Sequence, residues 1–380
     1  MAGAVSGPDV AGTAGGPGAA RTGTADWPAP GAPGETMTAV VFARFGPPDV
    51  LEPVRVPVPR PGHGEVLVRV AAVSVGRLLD VTARSGSHPF AAFTLPHILG
   101  AEHAGVVAAT GPGAEGFAVG ERVAAFPVIT CGTCESCLRG YDELCPSLQI
   151  IGTHRPGAYA QYAVVPARNL HRVPDGISPA EAAALALAGP VAVSQLGRAG
   201  FRPGQWVLVQ GASSGLGSVT AALAHHLGAR VIATSRVPAK RERLATLGIG
   251  AVLDATADGF AGQVREITGG RGADIVIDNL GEPRVWSATM DALAPGGTVV
   301  SSGAFLGHQV TVNLQALYTR GQRIIGVRTA SLASIPPLWA EAARGFRPVI
   351  DRPFPLEDAA LAHRYLESDS NAGRVILAVR

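Results

Sequence analysis

The stretch that most constrains this chain runs from Gln205 to Leu227. The apolar run QWVLVQ passes directly into Gly211-Ala-Ser-Ser-Gly215-Leu-Gly217, and Leu216 to Leu227 then carries helical periodicity closed by Gly228. A strand that turns on glycines into a helix points backbone amides and the positive end of the helix dipole at whatever lies above the turn, which suits a pyrophosphate. A second strand, VIATSR, follows at the spacing of a strand–helix–strand unit, so the competing reading as a plain surface loop is the weaker one. AVLDA, DIVIDNLG and TVVSSG continue as strands with helical stretches between them. This alternation predicts an α/β fold with a doubly wound parallel sheet and right-handed crossovers.

From Thr38 to about Val165 the pattern is different. Short apolar strands (TAVVFARFG, EVLVRVAAVSV, HAGVVAATG, ERVAAFPV, AQYAVVP) are separated by turn signals, which predicts a small, mostly β barrel or sandwich. The period changes after Pro179, where EAAALALAG reads as helical. The segment from about Arg328 to Arg380 adds a helix, PLEDAALAHRYLES, and a final strand, GRVILAVR; no internal repeat is visible.

All four cysteines lie within fifteen residues: Cys131, Cys134, Cys137 and Cys145, spaced Cys-x2-Cys-x2-Cys-x7-Cys. Tight turns with two intervening residues bring thiolates close enough to share a zinc ion at about 2.3 Å. Two disulfides, or unrelated buried thiols, are the alternatives, and both fit poorly with a chain that has no secretory signal. Four cysteine ligands close the coordination sphere, so one structural zinc is expected.

At the end of VIATSR, where a carboxylate would select NAD, stands Ser235, followed by Arg236, Lys240 and Arg241. A hydroxyl with cations suits a ribose 2′-phosphate and predicts NADPH; as a solvated helix start these charges would have no binding role. Over 380 residues the net charge is +2, with 47% hydrophobic and 16% charged residues and no block of like charge. That excludes a nucleic-acid stripe or a membrane-surface patch and points to a small-molecule substrate. Ala182 to Val193, the most apolar stretch, is broken by Gly189 and Pro190 and is too short to span a bilayer. Residues 1–36 lack apolar periodicity and any signal-peptide pattern, and are expected to be a disordered tail or an over-long gene start before Met37, in a cytoplasmic protein.

With these motifs in order (PGHGEVLVRV, LPHILGAEHAGVV, the cysteine lobe, GASSGLG, GGRGADIVIDNLG, LAPGGTVVSSG and AGRVILAVR), the span from Met37 to Arg380 resembles the medium-chain dehydrogenase/reductase superfamily. That superfamily includes zinc alcohol dehydrogenases and quinone and enoyl reductases. The resemblance implies a GroES-like, mostly β catalytic domain over residues 37–187 and 327–380, a Rossmann NADP-binding domain over 188–326, and a homodimer or homotetramer. It places the cofactor on Gly211, Ser213, Ser214, Gly215, Leu216 and Gly217, with Ser235, Arg236 and Lys240 at the ribose. Asn279 and Gly281, with Ser302 and Gly303, flank the nicotinamide. Arg374 contacts the pyrophosphate and can pair with Asp80 beside the cofactor; the competing reading makes the two a surface ion pair.

The resemblance also exposes departures. The family's catalytic zinc is held by a Cys after the second strand, a His in Gly-His-Glu and a Cys near the domain junction. Here those places hold Gly76 or Arg77, Ala101 of Gly100-Ala101-Glu102, and Leu187, the first ambiguous by one residue because of an insertion near Ser74. None ligates zinc. His103 is next to the lost ligand, but one step along a strand reverses the side chain, so a packed histidine is expected. The expected activity is therefore metal-free hydride transfer to an activated alkene, with Arg77 and Asp80 as the candidate catalytic residues. A carbonyl reductase using donors such as Arg77, or a nucleotide-binding protein without turnover, are the alternatives.

Overall fold

The computed structural model describes residues 27, 28 and 33–380. Most of the expected tail lies outside these residues. Trp27, within them, packs against the main apolar core and donates its indole N–H to the Ile177 carbonyl at 3.1 Å, so that part of the tail is docked.

Ten strands precede the strand that runs into the glycine turn: β1 (Thr36–Phe42), β2 (Glu52–Pro57), β3 (Glu65–Val75), β4 (His97–Ile98), β5 (Glu102–Thr110), β6 (Arg122–Ala125), β7 (Val128–Ile129), β8 (Gln149–Ile150), β9 (Tyr162–Pro166) and β10 (Leu170–Arg172). A small antiparallel sheet is ordered β2-β1-β4. The larger one is ordered β10-β6-β5-β3 and then takes in two strands from the far end of the chain, β18 (Arg374–Ala378) and β17 (Ile350–Pro355), while β9 also pairs with β3. The C-terminal strand thus lies beside β3 with Ile376 opposite Ser74. β3 is buried along nearly its whole length, as its apolar run EVLVRVAAVSV requires.

The inserted sheet is parallel throughout: β11 (Trp206–Gln210), β12 (Arg230–Thr234), β13 (Ala251–Leu253), β14 (Ala273–Asp278), β15 (Leu293–Ser301) and β16 (Arg323–Gly326), in the order β13-β12-β11-β14-β15-β16. The chain winds outward from β11 on one side and from β14 on the other. The crevice for a ligand lies where the winding reverses, above the carboxyl ends of these two strands. Val207, Leu208, Val209, Ile275, Val276 and Ile277 are buried, as both faces of such a sheet are covered by helices.

The run EAAALALAG does not make one helix. Ser178 caps Pro179–Leu185 in a reciprocal capping box with Glu181, and a second helix, Ala188–Ala199, starts at an angle of 44° to the first. The break at Ala186–Leu187 carries the chain from one domain to the other. Alanines there let the helices pack closely, and one apolar cluster runs from Ala72, Ala104 and Ala124 through these helices to Val209 and Ile277. Among the described residues no single helix is long and apolar enough to cross a membrane.

Candidate active site

β11 ends at Gln210, and Gly211 turns the chain with φ +66°, a left-handed conformation that a side chain disfavours. Ser214 caps the helix Gly215–His226, its hydroxyl accepting the Gly217 amide at 3.1 Å. A Cβ on Gly217 would lie 2.3 Å from the Gly211 carbonyl oxygen, so helix and strand meet only because that residue is glycine. Arg374 stands over the turn. A Cβ on Gly215 would come within 3.0 Å of its guanidinium, and the Gly373 amide donates to the Ser213 carbonyl at 3.2 Å. A guanidinium beside helix N-terminal amides fits a pyrophosphate.

Arg374 does not pair with Asp80 as the sequence suggested. Its guanidinium is 2.5 Å from the Glu102 carboxylate and donates to the Ser74 hydroxyl at 2.8 Å, all three groups being buried. The other function of Glu102 is at the break between the helices, where it accepts the Ala188 amide at 3.4 Å. Asp80, on the π-helical turn Arg77–Val81 that follows β3, accepts the amides of Gly76 at 2.6 Å and Gly100 at 3.0 Å. Burial pushes its carboxyl up to about 7; the nearby Glu102 charge adds to the rise, and the amide donors and Arg374 oppose it. Neither Asp80 nor Arg374 is a surface ion pair: both are buried.

Arg77 points along the domain seam. Its guanidinium donates to the Leu366 carbonyl at 2.6 Å and lies 3.5 Å from Asp369. Arg236 and Lys240 reach the same carboxylate, while Arg241 is held by Asp254 at 3.2 Å and by the Ser235 carbonyl. The Ser235 hydroxyl, just past the end of β12, lies 3.2 Å from that of Ser213 in the glycine turn, which joins the ribose and phosphate parts of the candidate pocket.

At the other end of the crevice, β14 delivers Asn279 and β15 delivers Ser302 and Gly303. A Cβ on Gly303 would sit 2.6 Å from the Asn279 carbonyl, which holds the strand ends against each other. Gln195 donates to Asn279 Oδ1 at 2.7 Å and is itself anchored by the Thr220 hydroxyl at 2.8 Å. Asn279 Nδ2 and the Ser302 hydroxyl are buried without a partner. Free donors there fit a carboxamide such as that of a nicotinamide.

The three places that the sequence resemblance matches to the catalytic-zinc ligands of alcohol dehydrogenases carry Gly76 or Arg77, Ala101 and Leu187, and offer no metal donor. His103 is buried in the sheet, its Nδ1 at 3.1 Å from the Ala101 carbonyl oxygen; burial takes its imidazole down to about 4, so it is the neutral packed histidine expected. Among the described residues the one cluster able to hold a metal ion is Cys131, Cys134, Cys137 and Cys145, whose sulfurs lie within 4.8 Å of one another. The separations of 3.9 Å (Cys131–Cys137), 3.5 Å (Cys134–Cys137) and 3.6 Å (Cys131–Cys145) bracket the edge of about 3.8 Å that four sulfurs 2.3 Å from one zinc ion require. No disulfide joins them. The Thr133 and Cys134 amides point at Cys131 Sγ and pull its thiol down to about 6, as a thiolate ligand needs.

Glu102, Asp369, Ser74 and Gln195 were not expected at the site. Glu102 was visible in Gly100-Ala101-Glu102, but nothing local tied it to Arg374.

Comparison with known proteins agrees with this geometry. Residues 62–175 match the alcohol dehydrogenase GroES-like domain family, and residues 215–344 match the zinc-binding dehydrogenase family. The chain is 33% identical over 288 residues to L-galactonate-5-dehydrogenase of Escherichia coli (strain K12), covering 75% of this chain and 82% of that protein. It is 32% identical over 364 residues to 2-haloacrylate reductase of a Burkholderia species, covering 90% and 98%. A crystal structure of an NAD-dependent alcohol dehydrogenase is 40% identical, with a TM-score of 0.84 over 90% of this chain and 100% of that one. With a GroES-like domain, an inserted Rossmann sheet and full-length relatives of this kind, the chain belongs to the medium-chain dehydrogenase/reductase superfamily of oxidoreductases.

Proposed function

We propose that this protein is an NADPH-dependent reductase of activated alkenes (enones, enoyl thioesters or quinones) that works without a catalytic metal. The observation that carries the proposal is the combination of a cofactor crevice lined by cations with Gly76 or Arg77, Ala101 and Leu187 where a catalytic zinc would need ligands. Alcohol and ketone chemistry in this superfamily relies on an open-coordinated ion to stabilise an alkoxide. Conjugate reduction spreads the developing charge over an enolate, so backbone amides or a nearby cation suffice.

NADPH, when bound, would supply the hydride. The chain's part is to place it: the amides of the glycine turn and Arg374 hold the pyrophosphate, Ser235, Arg236 and Lys240 the 2′-phosphate, and Asn279 and Ser302 the carboxamide. The proton that completes reduction at the α-carbon comes from water. One zinc on the four cysteines stabilises the lobe. The 2-haloacrylate reductase relative supports the alkene reading, since its named substrate carries a conjugated double bond. A carbonyl substrate is the second reading, favoured by the 40% identity to an alcohol dehydrogenase. The exposed edge of β16, with Ile324 on it and Leu314 and Tyr318 beside it, supports assembly of two or more copies of the chain.

The test uses NADPH deuterated at the transferred position, with an enone carrying both groups. Deuterium on the β-carbon, at a rate unaffected by a chelator that leaves the cysteine-bound zinc in place, is the expected result. Deuterium on a carbinol carbon would establish the carbonyl reductase instead.

A further inference from the structure

Residues 366–374 form the seam between the two domains, and Asp369 sits at its centre. Its carboxylate is 2.9 Å from Lys240 Nζ, 3.5 Å from the Arg77 guanidinium and 3.7 Å from that of Arg236. Lys240 and Arg236 come from the cofactor domain, Arg77 from the turn after β3 in the catalytic domain. The Lys240 side chain is 7% exposed, so its ammonium has little water to replace the acid. Asp369 holds φ at +54°, a left-handed conformation that aspartate and asparagine adopt more readily than most residues. Three cations around one carboxylate leave two positive charges in excess, which is the charge a phosphate monoester brings near neutral pH.

Resting on the NADPH reading above, we propose that Asp369 is a built-in competitor for the cofactor's 2′-phosphate, occupying the Arg77–Arg236–Lys240 cluster and thereby setting how strongly NADPH is preferred over NADH. A phosphate entering this cluster shares its cations with a like charge, and its binding is weakened by that repulsion. A ribose 2′-hydroxyl meets no such repulsion and can donate to the same carboxylate. Asp369 therefore narrows the gap between the two cofactors, and it does so without touching the reacting atoms.

Titration calorimetry of the full-length protein with 2′,5′-ADP and 5′-AMP tests this directly. In Asp369→Asn, 2′,5′-ADP should bind about tenfold more tightly, equivalent to about 1.4 kcal/mol, with 5′-AMP unchanged within about twofold. Asparagine tolerates the left-handed backbone well, and Asp369→Gly provides a second variant free of that constraint. Weaker binding of 2′,5′-ADP in both variants would show that Asp369 only organises the cations, and equal changes for both ligands would show a structural role; either overturns the proposal. If the wild type already prefers 2′,5′-ADP and the variants do not differ from it, the proposal fails while the NADPH reading stands. If the wild type shows no preference and the variants acquire one, the NADPH reading falls and the role of Asp369 stands.

Discussion

The cysteine lobe and the turn after β3 are two places where this superfamily uses zinc, and they have been treated oppositely here. The lobe keeps all four sulfurs within 4.8 Å of one another, close enough to share a tetrahedral ion, in a stretch whose leucines, Leu138 and Leu144, are exposed. At the other place stands a polar lock: Asp80 pins the Gly76 and Gly100 amides, while Glu102 joins Arg374 to the start of the helix Ala188–Ala199. A metal that supplies folding free energy cannot be removed without losing the fold around it. A metal that supplies only chemistry can be lost, provided that the buried charges left around it find partners.

Three measurements press on that contrast. The largest effect is expected in the lobe: purified protein should carry one zinc per chain, and Cys134→Ser should lose it together with much of the lobe's stability, read as zinc content and thermal melting. Two zinc equivalents per chain would mean that the second place still binds metal. Next, Glu102→Ala should destabilise the protein by about 3–5 kcal/mol in urea unfolding, because it leaves Arg374 buried without its counter-charge. A loss under about 1 kcal/mol would show that the pair contributes little.

The smallest effect concerns pH. The Asp80 carboxyl lies at about 7 in the folded protein against 3.8 normally, so the folded state holds a proton that the unfolded state releases. The stability from this group is complete below about pH 4 and is lost as pH rises to about 7. Asp80→Asn should flatten that part of the stability profile, whatever it does to absolute stability; an unchanged slope would mean that Asp80 is ionised when folded.

Much of the architecture is written locally. EVLVRVAAVSV forms a strand over the same eleven residues, and the helix read from Leu216 to Leu227 is found from Gly215 to His226, because alternation, apolar runs and glycine turns are short-range signals. The cysteine spacing is equally local, and it announces the sulfur cluster outright. EAAALALAG misled, since alanine and leucine favour helix on both sides of a bend that is imposed by packing between domains. Nothing local marks Glu102 rather than Asp80 as the partner of Arg374, and Asp369, in the polar run SDSN, has the look of any turn residue. Ion pairs between residues 129 positions apart, such as Lys240 and Asp369, leave no mark on either neighbourhood.

Lys240 has a practical side as well. It is the only lysine among the 380 residues, and it sits inside the candidate phosphate pocket with its ammonium against an acid. Apart from the chain's terminal amine, every reagent aimed at primary amines has a single address on this molecule. Acylation or reductive alkylation would therefore report on that pocket and on the terminal amine alone, and an ion-paired, sheltered amine should be slow to react until Asp369 lets it go.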